Sequence, residues 1–332
     1  MKAVVFKAYG SLDALEFKEV DKPRAGDDDV LVRIRAAGIN PSDWQVMRDV
    51  TPVTRRIFGL IGPKMNGLGS DLAGTVEAVG KNVTRFRPGD EVFGQVSDDA
   101  PGDPYMELSP FAEYACVPQD FLEAKPVNLS FEQAAAVPMA GFTALQGLRD
   151  AGRIASGQKV LINGASGGVG TFAVQIAKTY GADVTAVCST RNVEIVRALG
   201  ADRVIDYTRE DFTRTGQRHD LILDNVGNRS FRECRRALTR KGIYVPSGGS
   251  GGNWSGPFLH LLASFVSSWF VTQKVRPLLA KRSRTDLAFL KELLESGRIA
   301  PVIDRLYPLT GVPDAIRYLA TGHAQGKVII TI

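Results

Sequence analysis

Cysteine is scarce in this sequence. Only three occur among 332 residues, and they stand far apart: Cys116, Cys188 and Cys234. That spacing lacks the close pairs of a zinc site, and an odd number does not fit a framework of disulfide bonds. The three histidines are equally scattered and form no metal-ligating pattern. We therefore expect a protein without a metal centre, in a reducing, cytosolic setting.

Long hydrophobic runs are absent as well. One apolar stretch, residues 258–271, has 14 residues. As a helix it would span about 21 Å, which is short of the roughly 30 Å of a bilayer core. The first six residues have a strand pattern and not the charged and apolar regions of a signal sequence. We expect neither a transmembrane helix nor a secretory leader.

Acidic residues are missing between Glu233 and Asp286, an interval that contains nine lysines and arginines. The apolar stretch lies within this interval, and two interpretations are open. Segment 258–284 could lie on an anionic membrane surface, with Trp269 inserted and the basic side chains at the lipid headgroups. Alternatively, it forms a sheet edge or an interface between two subunits.

Length and composition indicate a globular protein of two domains. Hydrophobic residues make up 44% of the chain and charged residues 23%. The formal net charge of +5 is small for this length, and no pattern of a nucleic-acid-binding module is present. We therefore expect no nucleic-acid partner.

A glycine-rich turn at residues 164–170 is the most informative motif. It follows an apolar run, Lys159–Asn163, typical of a buried parallel strand, and precedes apolar residues at helical spacing. Such a turn binds a dinucleotide pyrophosphate, because small residues allow close approach and the helix N-terminus favours an anion. The cofactor contacts predicted here are Ala165, Ser166, Gly167, Gly168, Val169 and Gly170.

Strand and helix patterns alternate after this turn. We predict strands at 182–188, 203–206, 221–224 and 243–245, and helices at 192–199 and 229–238. This order is that of a doubly wound parallel sheet, which binds ligands at the carboxyl ends of its strands. Further cofactor contacts are predicted at two of those ends: Asn225, Val226, Gly248 and Gly249.

The end of the strand predicted at 182–188, which is the second strand when Lys159–Asn163 is counted as the first, distinguishes two cofactors. An NAD site usually has an acidic residue there, which binds the ribose 2′-hydroxyl. This chain has Ser189, Thr190 and Arg191 instead, and hydroxyls with a guanidinium suit a 2′-phosphate. We predict NADPH as the cofactor; the alternative is that Arg191 is a solvated residue of the next helix.

The N-terminal part is predicted to be rich in β-strands. Short runs with β-branched or aromatic residues are separated by Gly, Pro and Asp. They lie at 3–6, 15–19, 30–37, 74–79, 91–95 and 111–117. Such a series indicates a barrel-like domain that precedes the nucleotide-binding one.

Several further motifs lie along the chain: 37–43 (AGINPSD), 69–80 (GSDLAGTVEAVG), 87–92 (RPGDEV), 138–144 (PMAGFTA) and 326–330 (GKVII). Together with the glycine-rich turn they resemble the medium-chain dehydrogenases/reductases, in the zinc-free quinone oxidoreductase branch. The resemblance implies an α/β fold with a GroES-like β-rich catalytic domain and a doubly wound Rossmann domain. The catalytic domain would comprise residues 1–125 and 281–332, the Rossmann domain residues 126–280, and the assembly would be a homodimer.

The departures from that family concern zinc. Its zinc-dependent members have Cys, His and Cys at the positions of Asn40, Ser70 and Ala140. An amide, a hydroxyl and a methyl group do not hold a catalytic zinc ion. The cysteine cluster of the structural zinc lobe is also missing from residues 96–111. The resemblance therefore implies chemistry without a metal.

By the same resemblance, Asn40, Asp43 and Trp44 lie near the nicotinamide. Asn40 is expected to donate to the substrate oxygen, unless it only caps a loop, and Asp43 to orient its neighbours. Trp44 would stack on a planar ring or fill the core. Lys64 would contact a cofactor phosphate or the substrate carbonyl, with a surface position as the alternative. Two residues complete the expected cofactor contacts: Thr143 and Lys327.

Without a Lewis acid, the protein needs a substrate whose carbonyl requires little polarisation. Quinones and α,β-unsaturated ketones or aldehydes qualify, because conjugation spreads the charge that hydride addition creates. We predict NADPH-dependent reduction of these acceptors. Two alternatives stay open: an enoyl-thioester reductase, and an NADPH-binding, membrane-associated scaffold with little catalysis.

Overall fold

A computed structural model describes residues 1–6, 12–43, 68–96, 110–247 and 272–332. The chain divides into two compact units. The first comprises Met1–Met139, Lys281–Gly297 and Pro301–Ile332, and the second comprises Ala140–Ala280 and Arg298–Ala300. Several predictions fall outside the described residues: those for the apolar stretch 258–271, Trp44, Lys64, Gly248 and Gly249.

The strands are numbered in chain order. They are β1 (Lys2–Phe6), β2 (Leu15–Glu19), β3 (Asp29–Ile39), β4 (Asp71–Val79), β5 (Glu91–Gln95), β6 (Tyr114–Pro118), β7 (Leu122–Ala124), β8 (Lys159–Asn163), β9 (Asp183–Cys188), β10 (Arg203–Asp206), β11 (His219–Asp224), β12 (Leu238–Pro246), β13 (Lys274–Val275), β14 (Ile303–Pro308) and β15 (Lys327–Thr331). The helices are α1 (Phe131–Ala135), α2 (Pro138–Gln146), α3 (Gly168–Thr179), α4 (Val193–Ala198), α5 (Phe231–Cys234), α6 (Arg284–Glu295) and α7 (Val312–Ala320). Among the described residues, no helix is long and apolar enough to cross a membrane.

The first unit contains a seven-stranded sheet built around β3. The strand order is β14-β15-β3-β4-β5-β7, and β6 also pairs with β3. Only β14 and β15 pair in parallel; the remaining pairs are antiparallel. The register places Val328 of β15 opposite Ile39 and Asp71 of β4 opposite Gly38. The end of β3 therefore meets the beginnings of β4 and β15.

The second unit contains a parallel six-stranded sheet in the order β10-β9-β8-β11-β12-β13. Its central strand β8 is buried from Val160 through Asn163, as expected for a strand covered on both faces. The strand order reverses between β8 and β11. In a sheet of this kind, ligands bind at the carboxyl ends of the strands beside that reversal.

Helix α3 is more deeply buried than its sequence pattern predicts. The spacing of its apolar residues predicts one buried face, but every residue from Gly170 to Ala177 is buried. Polar positions are included, since the Gln175 side chain donates to Ala300 O and accepts from Ala300 N. A helix that is covered on all sides holds the glycine-rich turn at its N-terminus in a fixed position.

The prediction of a helix at 229–238 is wrong in its length. Helix α5 ends at Cys234, a short 3₁₀ turn follows, and Leu238 already begins β12. Leu238 is fully buried and pairs with His219 of β11, with a register shift before Leu221. Pairing with a neighbouring strand thus overrides the local helical pattern, and β12 is longer than the predicted 243–245.

Candidate functional site

The glycine-rich turn leaves the end of β8 and enters α3. The backbone N–H groups of Gly164 and Ala165 both donate to Val187 O of the adjacent strand β9. Gly167 is the N-cap of α3, with an extended backbone conformation. The N–H groups of the first helical turn have no acceptor within a helix, so Gly168, Val169 and Gly170 present donors at this point. This geometry suits an anionic group.

Two glycines of the turn have different surroundings. A Cβ on Gly170 would lie 2.1 Å from Gly164 O and 2.6 Å from the Cα of Ala165, so this glycine lets the helix pack on the turn. A Cβ on Gly167 would find its nearest atom at 3.6 Å. Packing within the protein therefore does not explain a glycine at 167, whereas the close approach of a phosphate does.

The end of β11 provides a second polar surface at the same edge of the sheet. Asp224 is fully buried, and its Oδ1 accepts from Asn163 Nδ2 at 2.8 Å and from the N–H groups of Val226 and Gly227. Its Oδ2 accepts from the Tyr244 hydroxyl at 2.7 Å. This one carboxylate therefore fixes the loop that contains the predicted contacts Asn225 and Val226.

Asn225 carries an unpaired donor. Its Oδ1 accepts from Ser247 Oγ at 2.6 Å, but its buried Nδ2 has no hydrogen-bond partner among the described residues. A buried polar atom without a partner costs free energy and is explained by a ligand that accepts from it. Together with the open space at Gly167, this atom fits a bound dinucleotide.

The loop after β9 is tied to its neighbours through polar side chains. Thr190 Oγ1 donates to Asp206 Oδ2 at 2.5 Å, and Asn192 Nδ2 donates to Ser166 Oγ at 2.8 Å. The hydrogen bond from Thr190 is the main reason why the pKa of Asp206 lies below its usual range. Arg191 is exposed in this loop. The sequence reasoning missed Asp206, although it is the last residue of a predicted strand.

In the first unit, four polar side chains meet where β3 ends and β4 and β15 begin. They come from parts of the chain that are far apart in sequence, and the exposed fraction of each is 4% or less: Asn40, Ser70, Asp71 and Lys327. Lys327 Nζ donates to Asn40 Oδ1 at 2.6 Å, to Ile39 O at 3.1 Å and to Asp71 Oδ2 at 3.2 Å. An ammonium group has three protons, and each has a protein acceptor.

The Asn40 amide is fully engaged in this cluster. Its Nδ2 donates to Ser70 Oγ at 3.1 Å and to Asp71 Oδ2 at 3.0 Å. Both amide protons are thus used, and the expected donation from Asn40 to a substrate oxygen does not fit this arrangement. The expected contact between Lys327 and the cofactor does not fit either, because all three of its protons are bound within the cluster.

Asp71 anchors the cluster from the other side. Its Oδ1 accepts from the N–H of Met139 at 3.0 Å. Burial raises the pKa of this carboxyl group, and the Lys327 ammonium opposes that rise. Gly38 makes room for it, because a Cβ there would lie 3.2 Å from Asp71 Oδ2 and 2.5 Å from Ala135 O. Sequence reasoning missed Asp71, although a charged residue beside Leu72 and Ala73 in an apolar strand was a signal of a buried partner.

The two remaining described candidates are Asp43 in the first unit and Thr143 in the second. Asp43 Oδ2 accepts from the N–H of Asn40 at 2.7 Å, and the Asp43 N–H donates to Asn40 O. These bonds fix the backbone just after β3. Thr143 is half-buried on α2 of the second unit. The predicted roles of both residues in binding substrate or cofactor stay predictions.

The donor set of the first unit does not suit a zinc ion. Asn40 and Ser70 bond each other, and a buried ammonium lies 2.6 Å from the Asn40 oxygen. Among the residues that the structure describes, no group of three or more His, Cys, Asp or Glu could hold a metal. The three cysteines are buried, and burial raises the pKa of Cys116 and of Cys188 to about 11, which disfavours the thiolate that binds zinc.

Two protein families match parts of this chain. The alcohol dehydrogenase GroES-like domain matches residues 26–127, and the family described as zinc-binding dehydrogenase matches residues 199–330. The 2-methylene-furan-3-one reductase of Solanum lycopersicum is 35% identical over 340 residues, which cover 99% of this chain and 79% of that protein. The chloroplastic NADPH-dependent alkenal/one oxidoreductase of Arabidopsis thaliana is 34% identical, with the same coverage.

The quinone oxidoreductase from Coxiella burnetii is similar in structure, with a TM-score of 0.85, 29% sequence identity and coverage of 100% of this chain and 99% of that one. Fold and site thus define a dinucleotide-dependent oxidoreductase with a GroES-like and a Rossmann unit, as predicted from the sequence. The chain belongs to the medium-chain dehydrogenase/reductase superfamily, in its quinone oxidoreductase-like branch.

Proposed function

We propose that this oxidoreductase transfers hydride from NADPH to a quinone or an α,β-unsaturated carbonyl compound without a metal. The observation that carries the proposal is the chemistry of the polar cluster. An amide, a hydroxyl, a carboxylate and an ammonium occupy the end of β3, and such groups supply hydrogen bonds and not a Lewis acid. The names of the plant relatives, which include reductases of conjugated carbonyl compounds, support the same substrate class.

When bound, NADPH supplies a hydride from C4 of its nicotinamide ring. The glycine-rich turn and the loop at Asp224 hold the dinucleotide and set the position of that ring. The β-carbon of an enone receives the hydride, and the π electrons of the enone move to its carbonyl oxygen. Solvent then protonates the resulting enolate. A quinone takes up the hydride in the same way and, after a proton shift from the ring carbon to oxygen, gives a hydroquinone anion. The fixed dipoles of the polar cluster stabilise the negative charge that develops on the oxygen.

A panel of acceptors tests this function. Protein treated with a chelator is mixed with NADPH and with a benzoquinone, a phenanthrenequinone, an enone, an enal or a crotonyl thioester. Loss of the nicotinamide absorbance reports turnover. We expect turnover of a quinone, the enone or the enal at the rate of untreated protein. Preference for the thioester would identify an enoyl-thioester reductase instead. Binding of NADPH without turnover of any acceptor would favour a scaffold.

The preference for NADPH depends on Arg191. We expect Arg191→Ala to raise the Kd of NADPH by about 10- to 100-fold, because a charge-assisted hydrogen bond contributes roughly 1.5–3 kcal/mol. The Kd of NADH should change less than about threefold, since NADH lacks the 2′-phosphate. Titration of both cofactors by their fluorescence measures the two constants.

Two further variants control the Arg191 experiment. Arg197→Ala removes an exposed arginine of α4 that pairs with Glu194, and it should leave both constants unchanged. Asp206→Asn removes the carboxylate that accepts from Thr190, and it should tighten NADPH by lowering repulsion. Equal losses for both cofactors in Arg191→Ala would contradict the assignment of a 2′-phosphate site.

Three further expectations remain part of this proposal. The protein acts in the cytosol, it forms a homodimer, and segment 258–284 lies either at a membrane surface or at a subunit interface. The names of some relatives describe those proteins as chloroplastic and not as cytosolic. Sedimentation with and without anionic liposomes distinguishes the two positions of the segment.

A further inference from the structure

The Asn40 amide can take only one orientation in the polar cluster. Its oxygen lies beside the Lys327 ammonium, and its NH₂ group lies beside the Asp71 carboxylate. A flipped amide would place its protons against the ammonium and its oxygen against the carboxylate, and both contacts would be repulsive. The two charged residues therefore fix which end of the amide meets Ser70.

This orientation determines the polarity of the Ser70 hydroxyl. Ser70 Oγ accepts from Asn40 Nδ2, so its own proton is left for a different partner. Ser70 is fully buried, and the hydrogen bond that its hydroxyl makes within the described part of the chain is the one that it accepts from Asn40. A buried hydroxyl with an unused donor indicates a ligand that accepts from it.

We propose that Lys327 is a positioning residue that acts through Asn40 to make the Ser70 hydroxyl the hydrogen-bond donor to the acceptor oxygen of the substrate. The ammonium polarises the Asn40 carbonyl, the Asn40 N–H polarises the Ser70 hydroxyl, and the Ser70 O–H meets the oxygen on which charge develops. Hydrogen bonds in such a chain strengthen one another. Ser70, and not Asn40, is then the catalytic residue.

No covalent bond is made or broken by the protein in this step. The substrate's carbon receives the hydride, the π electrons move to its oxygen, and Ser70 donates a hydrogen bond while it keeps its proton. Solvent supplies the proton that completes the reaction. The inference rests on the proposed function, because it names the groups that stabilise the oxyanion of a conjugated carbonyl substrate.

Acceptors that differ in their need for this stabilisation provide the test. An enolate carries more charge on one oxygen than a hydroquinone anion, whose ring delocalises it. Ser70→Ala removes one atom and should lower kcat for an enone by about 100-fold or more, the usual effect of losing an oxyanion donor. For a benzoquinone, kcat should fall less than about tenfold. The Kd of NADPH and the KM of both acceptors should stay within about twofold.

The double variant Lys327→Met/Asp71→Asn tests the positioning role while it keeps the buried pair neutral. It should show the same dependence on the acceptor. Adding Ser70→Ala to it should cause no further loss, because residues that act as one unit are not additive. Lys125→Met is the matched control: Lys125 is also a buried lysine of the first unit, bound to Leu129 O and Glu91. It should leave the ratio of the two kcat values unchanged.

The outcomes separate this inference from the function on which it rests. Wild-type protein that binds NADPH but reduces neither acceptor would overturn the proposed function, and the inference with it. An active wild type whose Ser70→Ala variant loses nothing, or loses the same factor for enone and quinone, would overturn the inference alone. Additive losses in the triple variant would show that Lys327 does not act through Ser70.

Discussion

Asp224→Ala should lower the free energy of unfolding of the second unit by about 4 kcal/mol, because donors that share one buried acceptor would lose it together. The carboxylate accepts from Asn163, Tyr244 and two backbone N–H groups. Such a loss is a large part of the roughly 5–15 kcal/mol that stabilises a typical protein. Denaturant unfolding, followed by a probe in the second unit, measures it.

The same variant should also lose cofactor affinity. The loop with Asn225 and Val226 is held by the hydrogen bonds to Asp224 Oδ1, so its release removes the fixed position of these two contacts. Tyr244→Phe removes only one partner and should cost about 1 kcal/mol. Asp150→Ala, at a half-exposed surface aspartate of the same unit, should cost nothing measurable. A change below about 1 kcal/mol for Asp224→Ala would contradict its central role.

Alanine at Gly170 should lower the stability of the protein, whereas alanine at Gly167 should lower its affinity for NADPH. At Gly170 the new Cβ would overlap backbone atoms 2.1 Å and 2.6 Å away, and we expect a loss of about 3 kcal/mol in stability. At Gly167 the backbone is extended and the nearest atom is 3.6 Å away, so stability should stay within about 0.5 kcal/mol. The Kd of NADPH should nevertheless rise about tenfold or more, because the methyl group occupies the space of a phosphate.

The pair of glycine variants is its own control. Thermal unfolding and NADPH titration are measured on both proteins, and each readout should change strongly in one variant. If Gly167→Ala bound NADPH as tightly as the wild type, the pyrophosphate would not lie over this residue. If Gly170→Ala were as stable as the wild type, the contact between helix α3 and the turn would be looser than the structure shows.

Local sequence patterns predicted most strands of the second unit. Strands β8 and β10 have the predicted bounds. For β8 the reason is a continuous apolar run between turn residues, which is a local signal of a buried strand. The predicted fold class was confirmed as well, because it was based on the alternation of strand and helix patterns and on the motifs shared with the family. The helix predicted at 229–238 failed where Leu238 pairs with β11, since pairing between strands is not a local property.

The dinucleotide site and the polar cluster differ in how far sequence could predict them. Residues 164–170 form one continuous turn, and their glycines fulfil a local geometric requirement. The cluster joins Lys327 to Asn40 and Asp71 across 287 and 256 residues of chain. No local pattern encodes such a separation. The sequence analysis predicted a cofactor contact for Lys327, whereas the structure binds its ammonium group to Ile39, Asn40 and Asp71.

The sequence by itself determined the two-unit α/β fold, the glycine-rich turn and the lack of zinc-type ligands at Asn40 and Ser70. Each of these depends on residue type and short-range spacing. Only the tertiary structure decided that Lys327 lies against Asn40 and that both protons of the Asn40 amide are used. The reason is physical: the antiparallel register of β15 on β3, which places Val328 opposite Ile39, brings the ammonium to the amide, and that register is set by the packing of the whole sheet.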